Sequence, residues 1–263
     1  MPEIRNYDAY TPAEMARRVE TVGVAKAHLP LLPLTTLAVL AGAFIAFGAL
    51  FYTVTVTGST FGYGPTRLLG GMAFSLGLIL VVVGGAELFT GNALIVMAWA
   101  DGKATLAALL RNWAVAYVGN FIGAVATAIA VWQSGVLAAA GGEVARTAIA
   151  IAEAKAALPF VEAFVRGVLC NVLVCLAVWL TFAARRVAGK VLAIVFPITA
   201  FVALGFEHSI ANMYLMPVGM LAGADVGPAA LAANLLPVTL GNIVGGGVFV
   251  GLVYYVVYVR PAK

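Results

Sequence analysis

GFEHSIANMY, residues 205–214, sets Glu207 beside His208 inside a stretch that is otherwise strongly apolar. An ionisable side chain at membrane depth costs about 2.5–3.5 kcal/mol on insertion scales, so it marks a functional candidate that must face a cavity or a partner. The stretch also has a counterpart. GAELFTGN at 85–92 aligns with GFEHSIAN at 205–212, sharing Gly, Glu and Asn at an offset of 120. VAKAHLPLLP at 24–33 resembles EAKAALPFVE at 153–162, which sets Lys26 against Lys155. RNWAVAYVGNFIG at 111–123 matches ANLLPVTLGNIVG at 233–245, pairing Asn112, Gly119, Asn120 and Gly123 with Asn234, Gly241, Asn242 and Gly245. Three matches in one order predict a duplicated chain.

The 263 residues are 63% hydrophobic and only 10% charged, with a mean hydropathy of +1.04, outside the makeup of soluble domains. A helix crosses the hydrocarbon core with roughly 20 apolar residues. Such runs lie at 31–57, 68–98, 108–134, 160–184, 190–220 and 230–259. The second and fifth carry polar residues in mid-run, which predicts interrupted helices. With an odd number of spans in each half, the halves enter the membrane from opposite sides. The expected fold is therefore all-α, with six transmembrane helices in two inverted three-helix repeats. The chain 1–263 reads as one transmembrane domain: a cytoplasmic interfacial helix within 1–27, a first repeat at 28–134, an extracytoplasmic loop at 135–159 and a second repeat at 160–259.

Basic residues orient the chain. Arg5, Arg17, Arg18, Lys26, Lys103, Arg111, Arg185, Arg186, Lys190, Arg260 and Lys263 fall on one side, against Arg67, Arg146, Lys155 and Arg166 on the other, so both termini are expected in the cytoplasm. The first thirty residues are polar, and the first span is long enough to stay as an anchor, so no cleavable signal is expected. Thr11 and Glu14 stand at capping-box spacing with Pro12 at the first helical position, predicting a helix start. Met15, Val19 and Val22 share one face of it, with Arg17, Arg18 and Glu20 turned away. This helix either anchors the chain at the interface or covers an entrance. Gly119 with Gly123 and Gly241 with Gly245 allow close helix packing.

The repeat symmetry fails at one place, where His208 stands against Leu88. One imidazole between apolar walls suits a polar gate, since its ordinary pKa is near neutrality and it donates a hydrogen bond in either charge state; a core histidine bracing the break is the competing reading. Glu87 and Glu207, as repeat mates, suit the filling of broken helix ends. Lys26 and Lys155 would bias vestibules toward anions or remain solvated loop lysines. His28 is the only other histidine, so no metal site is expected. Cys170 and Cys175 lie five apart in one span, so no disulfide is expected. His208 and Ser209 are adjacent, which argues against a hydrolase; the chain is expected not to be an enzyme and to need no cofactor. No Asn-Pro pair occurs, which argues against a neutral-solute pore of the aquaporin kind.

FSLGLILVVVGGAELFTGN at 74–92, RNWAVAYVGNFIGA at 111–124, NVLVCLAVW at 171–179, GFEHSIANM at 205–213 and LLPVTLGNIVGGG at 235–247 resemble the formate–nitrite transporter family. The Phe before Glu207, the Met-Pro at 216–217 and the Pro237 stretch resemble its formate channel branch. The resemblance implies an aquaporin-like protomer in a homopentamer, one pore per subunit, in the inner membrane of a bacterium or archaeon, with lipid and small anions as its other partners and no nucleic acid. It implies that His208 is the central pore residue, held by Glu207 and Asn171 and faced by Thr90. Lys155 would draw anions in, Asn242 would line the pore, and Leu78, Leu88, Phe89, Val174 and Phe201 would form the hydrophobic constrictions. The implied activity is transport of small monovalent anions, formate first, with proton transfer from His208 to the anion as its proton-coupled version. Nitrite, hydrosulfide, acetate and lactate fit the same fold.

Overall fold

A computed structural model describes residues 10–260, so Arg5 and Lys263 of the charge pattern lie outside the described residues. The described chain is all helical. Helix α1 (Pro12–Ala27) starts at Thr11, whose side chain accepts from the Glu14 N–H while the Glu14 carboxylate takes the Thr11 N–H. Then come α2 (Leu31–Val56), α3 (Tyr63–Gly84), a 3-10 segment Gly91–Ile95 running into α4 (Val96–Ala100), and α5 (Leu106–Gln133). The second half has α6 (Glu143–Ala156), α7 (Phe160–Thr181), α8 (Val187–Ala203), α9 (Ser209–Ala222) and α10 (Pro228–Ile243), which continues in π-helical form to Val259.

Among the described residues, five helices are long and apolar enough to cross a membrane: Leu31–Val56, Tyr63–Gly84, Leu106–Gln133, Phe160–Thr181 and Pro228–Val259. The apolar run at 190–220 is not one helix. It forms α8 and α9, of 17 and 14 residues, separated by an unwound stretch. The run at 68–98 likewise breaks after Gly84. Gly85 and Gly205, mates in the sequence alignment, both take the left-handed φ that ends a helix cheaply only in glycine, at 84° and 72°.

Two expectations need correction. Residues 135–159 are not a loop: most of the segment is α6, because Val144, Ala148 and Ala152 form a buried stripe at i, i+4 spacing against α9. In α1, Met15 and Val19 are buried and Arg17 and Arg18 exposed as predicted, but Glu20 is buried and Val22 exposed, because Lys103, which also pairs with Asp101, meets the Glu20 carboxylate on the packed side.

Close packing sets the frame. A Cβ at Gly123 would run into the Val39 carbonyl of α2, and one at Gly245 into the Val168 carbonyl of α7, so these positions admit backbone against backbone. Helix α9 lies in the centre, with every residue from Ser209 to Gly219 buried, as an all-round apolar helix requires.

Candidate functional site

The two breaks are tied by matching sets of bonds. In the first, Lys26 Nζ donates to Glu87 Oε1 at 2.7 Å, and Asn92 Nδ2 donates to Glu87 Oε2 and to Asn112 Oδ1. Asn112 Nδ2 returns to the Lys26 carbonyl. In the second, Lys155 Nζ donates to Glu207 Oε1 at 2.9 Å, Asn212 Nδ2 to Glu207 Oε2 and Asn234 Oδ1, and Asn234 Nδ2 to the Lys155 carbonyl. Buried ions are stable only when paired and hydrogen-bonded in this way.

A second asparagine serves each unwound strand. Asn120 accepts from the Phe89 N–H and donates to the carbonyls of Ala38 and Glu87. Asn242 accepts from the Ser209 N–H and donates to the carbonyls of Gly167 and Glu207. Both side chains are fully buried and satisfy backbone groups that the helix break releases. Asn242 therefore braces the break, and it lines neither of the two chambers described below.

His208 is the N-cap of α9. Its Nδ1 accepts from the Ala211 N–H at 3.0 Å, and its Nε2 lies 2.9 Å from Thr90 Oγ1. The first bond assigns the tautomer: Nδ1 offers its lone pair, so in the neutral ring the proton is on Nε2 and donates to the Thr90 hydroxyl. Phe201 stacks on the ring at 5.9 Å and 26°, and Phe74 meets Phe201 edge-on.

Glu207 does not hold this ring. Residue 208 has extended backbone, φ −115° and ψ 113°, so consecutive side chains point to opposite sides, and the Glu207 carboxylate goes to Lys155 and Asn212. Asn171 does not hold the ring either. Its Nδ2 donates to the carbonyls of Thr90 and Asn242, fixing the strand that presents Thr90. Cys175 adds an S–H bond to the same Thr90 carbonyl at 3.3 Å, a contact with no signal in the sequence.

Two chambers flank the Thr90–His208 pair. The α1-side chamber, of about 450 Å³, is lined by Val19, Val22 and Lys26 of α1, the end of α3 with Leu78, Leu88 beyond it, and Lys190. The α6-side chamber, of about 210 Å³, is lined by Arg67 near the start of α3, Phe74 at its middle, Lys155, Arg166, Phe201 and His208. Helices α3, α7 and α8 each give one end to one chamber and the opposite end to the other, so the chambers lie at opposite ends of the bundle. Thr90 is buried between them. Of the expected constriction residues, Leu78, Leu88 and Phe201 stand on chamber walls. Phe89 and Val174 line neither chamber. Phe89 packs edge-on against Tyr117 and Trp113 of α5, because its own N–H is held by Asn120 of that helix, and Val174 is buried in the core.

Comparison with known proteins gives consistent results. A family model for formate/nitrite transporters matches residues 13–256. The chain is 41% identical to formate channel FocA of Escherichia coli (strain K12) over 274 aligned positions, covering 97% of this chain and 96% of the relative. It is 42% identical to a probable formate transporter of Methanothermobacter thermautotrophicus, covering 95% and 97%. Among solved structures it resembles a pentameric formate channel with formate bound, with a TM-score of 0.81 and 43% identity over 87% of this chain and 97% of that one. An FNT family ion channel superposes with a TM-score of 0.85 at 29% identity, covering 92% and 98%.

Proposed function

The chain belongs to the formate/nitrite transporter family, and from that premise we propose that it carries formate across a membrane through the passage that joins the two chambers at Thr90 and His208. The observation that carries this reading is the buried Thr90–His208 pair between chambers at opposite ends of the bundle. Two donors converge there, the ring Nε2–H and the Thr90 O–H, and formate offers two carboxylate oxygens to accept them. Leu78, Leu88 and Phe201 make the flanking walls apolar, so an anion that sheds water in the passage depends on those donors.

The ring's geometry favours hydrogen bonding over proton donation. Adding a proton at Nδ1 would set two hydrogens against each other across the Ala211 bond, and the neutral ring would have to become an imidazolate to give up its Nε2 proton. A proton-coupled step through His208 therefore requires the α9 cap to open first.

The finer architecture follows in the same reading. The matched bond sets of Glu87 and Glu207 support two inverted halves with six crossings, α3–α4 and α8–α9 forming the interrupted ones. The distribution of basic residues supports a cytoplasmic location for both termini and α1, which makes the α1-side chamber the inner one, with α6 on the outer face between repeats at 28–134 and 160–259. Exposed Leu, Phe and Val side chains along the long helices, together with the pentameric neighbour, support a homopentamer in a bacterial or archaeal inner membrane. As a transporter it makes and breaks no covalent bond of its cargo.

Reconstituted liposomes test this. Formate should cross faster than chloride, and His208→Ala should change the formate rate, the preference over chloride or the pH response. A variant indistinguishable from the parent in all three sinks the assignment of His208.

A further inference from the structure

Three cations line the α6-side chamber, and two of them are matched by carboxylates. Lys155 sits on Glu207, with both carboxylate oxygens within 3.0 Å, so an anion in the chamber meets a pair of zero net charge. Arg166 pairs with Glu162 one turn away on the same helix, both half exposed. Arg67 differs. Its Nε donates to the Ala203 carbonyl, its two terminal nitrogens to the Val202 carbonyl and the Tyr52 hydroxyl, and among the described residues no carboxylate pairs with it. None of its three acceptors carries a formal charge, so no formal charge cancels its own.

The identity of those carbonyls adds to the argument. Val202 and Ala203 end α8, and the aligned peptide dipoles of a helix leave about half a negative charge at that end. Unmodified, α8 would present this negative end to the chamber beside His208. A guanidinium on its last carbonyls reverses the local sign, and its planar fork also fixes the helix end that carries Phe201.

We infer that Arg67, and not Lys155, makes the α6-side chamber electropositive and so selects for anions, while its fork positions the end of α8. Lys155 acts as the latch that keeps Glu207 paired. This rests on the reading of the chain as an anion transporter, but its test does not require transport.

Ala154 lines the same chamber and is exposed, and the two native cysteines, Cys170 and Cys175, are buried. A thiol at Ala154→Cys in the full-length protein in nanodiscs therefore reports local potential through its relative rates with an anionic sulfonate and a cationic trimethylammonium methanethiosulfonate. Adding Arg67→Gln should lower the anionic-to-cationic rate ratio roughly three- to fivefold, the scale of one charge acting on probes of opposite sign across water. Arg67→Lys should keep the ratio but unfold at lower temperature, because a point charge replaces the fork. An unchanged ratio in Arg67→Gln overturns the inference. Should that variant fail to assemble, Ala154→Cys alone decides: its anionic-to-cationic rate ratio, divided by that of a free thiol in the same buffer, should exceed one at low salt and fall toward one between about 0.01 and 1 M salt as the screening length falls from about 30 to 3 Å, and a normalised ratio of one or less at low salt overturns the inference. Absence of formate flux in the parent protein would overturn the transport reading and leave the thiol ratio to decide this one.

Discussion

At residue 208 one imidazole does two jobs: Nδ1 caps α9 and Nε2 meets Thr90. The jobs separate by substitution. His208→Ala loses the cap, worth about 0.5–2 kcal/mol at a helix N-terminus, and should lower the thermal midpoint. His208→Asn keeps a capping oxygen and should stay close to the parent in stability, yet it cannot span to Thr90, so its preference for formate over chloride should fall as far as that of the alanine variant. Thermal unfolding measured beside paired liposome fluxes checks this, and equal stability of the two variants would remove the capping role. That residue 208 was special is legible in the sequence, as an ionisable group in an apolar run where its repeat mate is Leu88. Its partners were not, since Thr90 is 118 positions away and the nearest carboxylate in sequence points the other way.

The broken helices are the elements that make the site possible, and each is held by an asparagine from the helix packed beside it. Asn120→Ala and Asn242→Ala each strand one buried N–H and two carbonyls. With about 1–3 kcal/mol for each unsatisfied buried group, each variant should lose several kcal/mol, and the two losses should be similar because the bond sets match. Unfolding in mild detergent would measure both, and a large inequality would contradict equivalent roles. The breaks themselves are visible in the sequence as Gly85 and Gly205 with polar residues after them. The short helix α6 was hidden because its apolar face is built from Val and Ala, too small to stand out beside membrane-length runs.

Across the whole molecule, α1 lies against the α1-side chamber and is pinned by Glu20, Asp101 and Lys103, with Lys103 Nζ 2.9 Å from Glu20 and 3.0 Å from Asp101. Burial first, and then the neighbouring Asp101, raise the Glu20 pKa above its ordinary 4.5. The undocked helix releases the Glu20 proton near that ordinary value while the docked one still holds it, so docking weakens as pH rises from there toward the raised pKa and stays weaker at neutral pH. The Lys103 pKa is raised by the same two carboxylates, and its contribution is constant throughout this range because it titrates only in alkali. Amide exchange in α1, corrected for intrinsic rates, should therefore slow as pH falls from 7 to the ordinary 4.5, and Glu20→Gln should keep it slow at both. Parallel behaviour of parent and variant would contradict this linkage.

The sequence by itself determined the solvent, the helical class, the sites of the breaks and the duplicated pattern, because each of these is a local or periodic property: an apolar run of membrane length, a glycine that ends a helix, a motif that recurs. It also marked which polar residues had to be satisfied, since a buried charge or amide cannot stay alone in hydrocarbon. Only the tertiary structure decided who satisfies whom. Glu207 meets Lys155 across 52 positions and His208 meets Thr90 across 118, and partner choice depends on which side chains converge within about 3 Å. That convergence is set by helix packing and backbone direction at the breaks, neither of which a one-dimensional pattern contains.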